Sequence, residues 1–235
     1  KPMSKSINIL SFKISFLLVT AIFYELVYAH GVSVRDAGFI QQINEQAISI
    51  FIYLGAKHMV TGYDHLLYLC GVIFFLNRLK DVVVFVSLFA IGHSITLLWG
   101  VISHTHINPY IIDSIIGLSV VYKALENLGE LKNLFHININ PKIAVFCFGL
   151  IHGLGLASKL QDFIVSDNGV VANIISFNIG VEIGQIIALT IAYFVINSWR
   201  KIGGFYENAR TSNFVLMFLG FLLFLNQISA YFLVV

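Results

Sequence analysis

The stretch ISIFIYLGAKHMVTGYDHLLYLCGVIFFL, residues 48–76, is a long apolar run with His58, Asp64 and His65 near its middle. It exceeds the ~20 residues that cross the hydrocarbon core of a bilayer. A charged side chain at the bilayer centre costs roughly 2.5–3.5 kcal/mol by insertion scales. Such groups persist there when they pair, bind something or carry something. His58 and His65 are two helical turns apart, so a continuous helix would place them on one face with Asp64 beside them. Two imidazoles and a carboxylate are a ligand set suited to a divalent transition metal. Gly55 and Gly62 flank His58 and predict a break or re-entrant turn before a regular span from Asp64 onward. Irregular backbone at that depth is tolerated only where protein shields it or where it lines a cavity.

The rest of the chain agrees with a membrane setting. It is 58% hydrophobic and 11% charged, with mean hydropathy +0.86, which points to an all-α polytopic membrane protein. No basic run long enough for nucleic acid is present, and no GxxxxGK[ST] phosphate loop, so ATP hydrolysis by this chain is not expected. Cys70 and Cys147 lie in apolar segments without a neighbouring thiol and read as small core residues.

Residues 1–29 have the form of a signal peptide or signal anchor. Lys1, Lys5 and Lys13 precede an apolar stretch, and Val27-Tyr28-Ala29 offers a cleavage site before His30. Residues 30–47 are mixed and polar, an external or interfacial segment. Residues 48–235 then form a transport domain of six spans: 48–77, 81–103, 108–128, 141–160, 171–198 and 212–234 (seven spans if the signal stays attached). Arg78, Lys80, Lys132, Lys142, Arg200, Lys201 and Arg210 all fall in alternate loops, whereas the opposite loops, 104–107 and 161–170, have only Lys159 just before the second. By the positive-inside rule, residues 30–47 and the C-terminus lie outside the cytoplasm.

Polar residues recur at one depth. His93 is ten residues from the outer end of its span, His152 about eight and Glu182 about eleven. At ~1.5 Å per residue they sit roughly 12–17 Å below the outer surface, the band also expected for Asp64 and His65. His58, Asp64, His65, His93, His152 and Glu182 are therefore the expected metal ligands, with His58 placed toward the outer approach. Ser94, Thr96, Glu126, Asn178 and Gln185 are expected behind them or along the path. Asn178, Glu182 and Gln185 share one side of a helix by their spacing, and Lys123 can pair with Glu126.

Together these motifs have a familiar order. Gly55-x-x-His58, Gly62-Tyr63-Asp64-His65-Leu66-Leu67, His93-Ser94-x-Thr96-Leu97, Glu126-Asn127, Phe148-Gly149-Leu150-x-His152-Gly153-x-Gly155 and Phe177-Asn178-x-Gly180-x-Glu182-x-Gly184-Gln185 resemble the HupE/UreJ family of nickel and cobalt permeases. The resemblance covers about residues 30–198. It implies six spans after a cleaved signal peptide, the bacterial inner membrane, and uptake of Ni²⁺ or Co²⁺. It also implies a mature chain starting at His30, whose amine and imidazole could chelate an ion at the entrance. Leu156 departs from the family's usual Phe. The larger nickel/cobalt transporter family is more distant, since it has one residue fewer between its His and Asp-His. Imidazole and carboxylate ligands suit Zn²⁺ and Fe²⁺ as well. An intramembrane zinc hydrolase, or a metal-binding membrane protein that does not transport, uses the same residue types; against the hydrolase, neither HExxH nor GxSxG is present.

Overall fold

The computed structural model describes residues 40, 46–136, 138–161 and 169–234. The expected signal segment, His30 and most of the external segment lie outside them. The described residues are all-α, with no strand. The helices are α1 (Ile48–Thr61), α2 (Tyr63–Ile73), α3 (Leu79–Ile102), α4 (Pro109–Leu128), α5 (Glu130–Phe135), α6 (Pro141–Gln161), α7 (Val170–Ile202) and α8 (Phe205–Val234). Four of them, α3, α6, α7 and α8, are long and apolar enough to cross a membrane.

Local chemistry sets the boundaries. The α4 start is an Asn-Pro signal: Asn108 Oδ1 accepts from the Tyr110 amide at 2.9 Å, with Pro109 at the first turn. The same pair recurs at Asn140-Pro141, where Asn140 Oδ1 accepts from the Lys142 amide at 2.9 Å. Gly129 closes α4 in the left-handed conformation, φ 78°.

Three pairs of helices pack at backbone distance: α1 with α7, α3 with α6, and α4 with α8. Each pair meets through glycine. A methyl at Gly55 or Gly180 would strike a carbonyl of the opposite helix, Phe177 or Ile52. Gly92 and Gly149 do the same for α3 and α6, and a methyl at Gly117 or Gly220 would strike a backbone nitrogen across α4 and α8, that of Phe224 or Val121. Helices without a hydrophobic force between them associate through such close approach and its Cα–H···O contacts.

The exception is α2, which touches α1, α3, α4, α7 and α8 and is paired with none. It begins at a single break. Gly62 donates its amide to the His58 carbonyl at 2.8 Å, ending α1, and its own carbonyl accepts from the Leu66 amide at 3.1 Å, starting α2. A Cβ there would crowd the His58 carbonyl at 2.9 Å and His65 Nδ1 at 3.1 Å. The break expected in the region flanked by Gly55 and Gly62 is thus at Gly62, and Gly55 is spent on contact with α7. The result is a half-helix whose first turn carries Asp64, where the helix dipole favours a negative charge.

Candidate metal site

His65, on the first turn of α2, is the hub. Its ring centroid lies 5.3 Å from His58 on α1, 4.8 Å from His152 on α6 and 6.0 Å from His93 on α3. His65, His93 and His152 are 4%, 0% and 1% exposed. The four sequence-predicted histidines therefore converge from four helices, and His58 belongs to the group rather than to its approach.

Hydrogen bonds fix how two of these rings present themselves. His152 Nδ1 stands 2.7 Å from the Phe148 carbonyl oxygen. A carbonyl only accepts, so Nδ1 carries the proton and Nε2 of the neutral ring keeps its lone pair. His65 Nδ1 lies 2.8 Å from Asp64 Oδ1 and is held the same way. Such partners orient metal-binding imidazoles and raise their basicity. Five buried imidazole nitrogens have no hydrogen-bond partner: Nε2 of His58, His65 and His152, and both nitrogens of His93. On α7 the buried Oδ1 of Asn178 is also unpartnered. Buried polar atoms are usually paired, so this concentration is chemically unusual.

Rings sharing one ion at a metal–nitrogen distance of ~2.1 Å stand roughly 4.5–6.4 Å apart between centroids. The measured separations lie inside that range. Among the described residues, however, no three His, Cys, Asp or Glu side chains are already arranged to hold an ion. The rings meet edge to face, and gathering them on one ion requires rotation about their side-chain bonds.

Glu182 does not join them, contrary to the shared-depth expectation. Its helix buries the arc centred on Gly180 and Gly184, which press against α1. Asn178 and Gln185 lie at the edge of that arc, while Glu182 is about 40° further round at 100° per residue and is exposed. Equal depth did not mean an equal direction.

The other expected residues divide. Gln185 is fully buried with both amide atoms unpartnered. Thr96 is helix glue: its hydroxyl donates to the Leu150 carbonyl of α6 at 2.6 Å. Ser94 is half-buried and diverges from His93 by about 100° around α3, which disfavours a nucleophile–base pair. Glu126 pairs with Lys123 at 2.8 Å, as the spacing suggested.

Two aromatic residues at the site went unread in the sequence. Phe89 lies 4.9 Å from His152, 6.1 Å from His65 and 6.3 Å from His93. Tyr68 lies 5.9 Å from His152 and 5.3 Å from Phe148, and its buried hydroxyl has no partner. The signal for Tyr68 was available, since it follows Asp64 by four residues and His65 by three on one helix.

The family model described as HupE / UreJ protein matches residues 34–235. No curated protein and no solved structure matches the chain.

Proposed function

The chain belongs to the HupE/UreJ family, and from that premise we propose that it is a permease for a divalent transition-metal cation, Ni²⁺ or Co²⁺. The observation that carries the reading is the convergence of unpartnered imidazole nitrogens around His65 from four helices. His58, His65, His93 and His152 are the proposed nitrogen ligands. Asp64 orients His65 and supplies the negative charge that a divalent cation needs. Asn178 and Gln185 line the path, and the carboxylate of Glu126 lies further along it.

In this reading the chain crosses the membrane six times. The first crossing is the broken pair α1–α2, and the third is α4, in which Asp113, Lys123 and Glu126 are all ion-paired. The basic loops then face the cytoplasm, and both the external segment and the C-terminus face outward. An ion entering from outside exchanges its water for imidazole at the α1–α2 break. Neutral imidazole binds metal and protonated imidazole does not, so uptake falls as the medium is acidified. Membrane potential is a sufficient inward force for a cation.

The test is metal accumulation. Cells expressing the chain are expected to take up ⁶³Ni²⁺ or ⁵⁷Co²⁺ above cells expressing Asp64→Ala at matched protein level. Equal accumulation in the two would end the permease reading.

A further inference from the structure

Of the loops between spans, two lack Lys and Arg, and Lys159 is the basic residue that borders one of them. It sits near the end of α6, and its ammonium donates to both carboxylate oxygens of Asp113 on α4, at 2.7 and 3.0 Å. The side chains are 19% and 5% exposed. The contact is close because α4 and α6 touch here, Gly155 admitting Ile112, the residue before Asp113. Lys159 follows His152 by seven residues, two turns along the same helix face and ~10.5 Å on. The charged pair therefore lies on the helix face that carries His152, two turns from it.

A cation site gains nothing from an ammonium beside it, unless that charge is offset. We propose that Lys159 and Asp113 together set how tightly the histidine site takes a divalent cation, with Asp113 cancelling a charge that would otherwise repel the ion. This rests on the permease reading above and adds two residues that touch neither the ion nor its ligands. The pair acts through field, not coordination. A staple that merely joined α4 to α6 would make no distinction between losing its acid and losing its base.

The charges do make that distinction. Asp113→Asn leaves the ammonium uncompensated, and Lys159→Gln leaves the carboxylate. Local charge shifts the effective concentration of an ion at a site by about tenfold or more. The KM for ⁶³Ni²⁺ uptake is expected to rise about tenfold in Asp113→Asn, to fall in Lys159→Gln, and to stay near wild type in Asp113→Asn/Lys159→Gln. The opposite shifts are expected to shrink as ionic strength is raised. KM does not depend on the amount of folded protein, so weaker expression of either variant does not imitate the result. If Asp113→Asn does not reach the membrane, Lys159→Gln against the double variant carries the same sign. KM values that are equal, or that move in one direction for both single variants, overturn the proposal. A wild-type protein that takes up no Ni²⁺ or Co²⁺ overturns the permease reading instead.

Discussion

The two ends of α2 are both polar, yet they are treated in opposite ways. At the C-terminal end, the chain's carbonyls are met one by one. Arg200 donates to the carbonyls of Phe74 and Leu76 and to Asn77 Oδ1, Tyr193 donates to the Asn77 carbonyl at 2.9 Å, and Asn127 donates to the Gly71 carbonyl at 2.9 Å and to Asn213. The Arg200 guanidinium also lies 4.9 Å over the Phe205 ring. At the N-terminal end, Nε2 of His58, His65 and His152 and both nitrogens of His93 are buried without a hydrogen-bond partner. In the permease reading, one end is a joint and the other receives the ion. Leaving a buried polar group unmet costs about 1–3 kcal/mol, which is tolerable where binding an ion offsets it and wasteful elsewhere.

The sharpest way to break that contrast is to remove the hub. His65→Ala deletes the ring that all the others surround, and uptake is expected to drop on the order of 100-fold, the upper end of the 10–100-fold range for groups that merely orient ligands. The protein should remain folded, because the unpartnered nitrogens contribute little to the fold. Tracer uptake together with a melting curve checks both halves. A variant that melts well below wild type yet transports at the wild-type rate per folded molecule would reverse the assignment of the two ends.

Arg200→Gln attacks the joint. It is expected to cost about 2 kcal/mol of stability, the scale of hydrogen bonds to a charged group, or about a 30-fold change in the folded ratio. KM for the ion should not move. Tyr68→Phe belongs to the other end. Removing a hydroxyl that has no partner is expected to leave the melting temperature unchanged or raised, while uptake slows about fivefold if the ion's water meets that hydroxyl on leaving the histidines. Slower uptake with lower stability would place Tyr68 in the joint instead. A melting curve and an uptake rate on the same preparation separate the two.

These contrasts also show what the chain's letters could carry. Hydropathy marked the helices, because apolar length is a one-dimensional property. The break at Gly62 was readable as one of two glycines, but choosing between them required knowing that Gly55 meets the Phe177 carbonyl across α1 and α7. The histidines were readable together because each lies in an apolar segment and imidazole there needs a reason. Phe89 was not, since one phenylalanine among 21 carries no such flag. Its place among three imidazoles follows only from the α3–α6 pairing. The Lys159–Asp113 contact was equally hidden, being 46 residues apart on separate helices.

Glu182 gives the finest test of the comparison. Its carboxylate is expected at the depth of the histidines, and the residue is exposed on α7. Glu182→Gln keeps the shape and removes the charge, and it is expected to change the KM for Ni²⁺ less than about threefold, the scale of a weakly screened charge outside a site. A carboxylate exposed on an apolar helix is costly in lipid, so the neutral variant should also melt no lower than wild type. A loss of uptake comparable to His65→Ala would mean that α7 turns during transport. The rotation needed is modest, because Asn178, about 40° away around the helix, already has a buried Oδ1. In that event Glu182 would belong to the receiving end of α2 in a second conformation. Crosslinking a cysteine pair across α7 and α3 in the presence and absence of Ni²⁺ would then detect the turn directly.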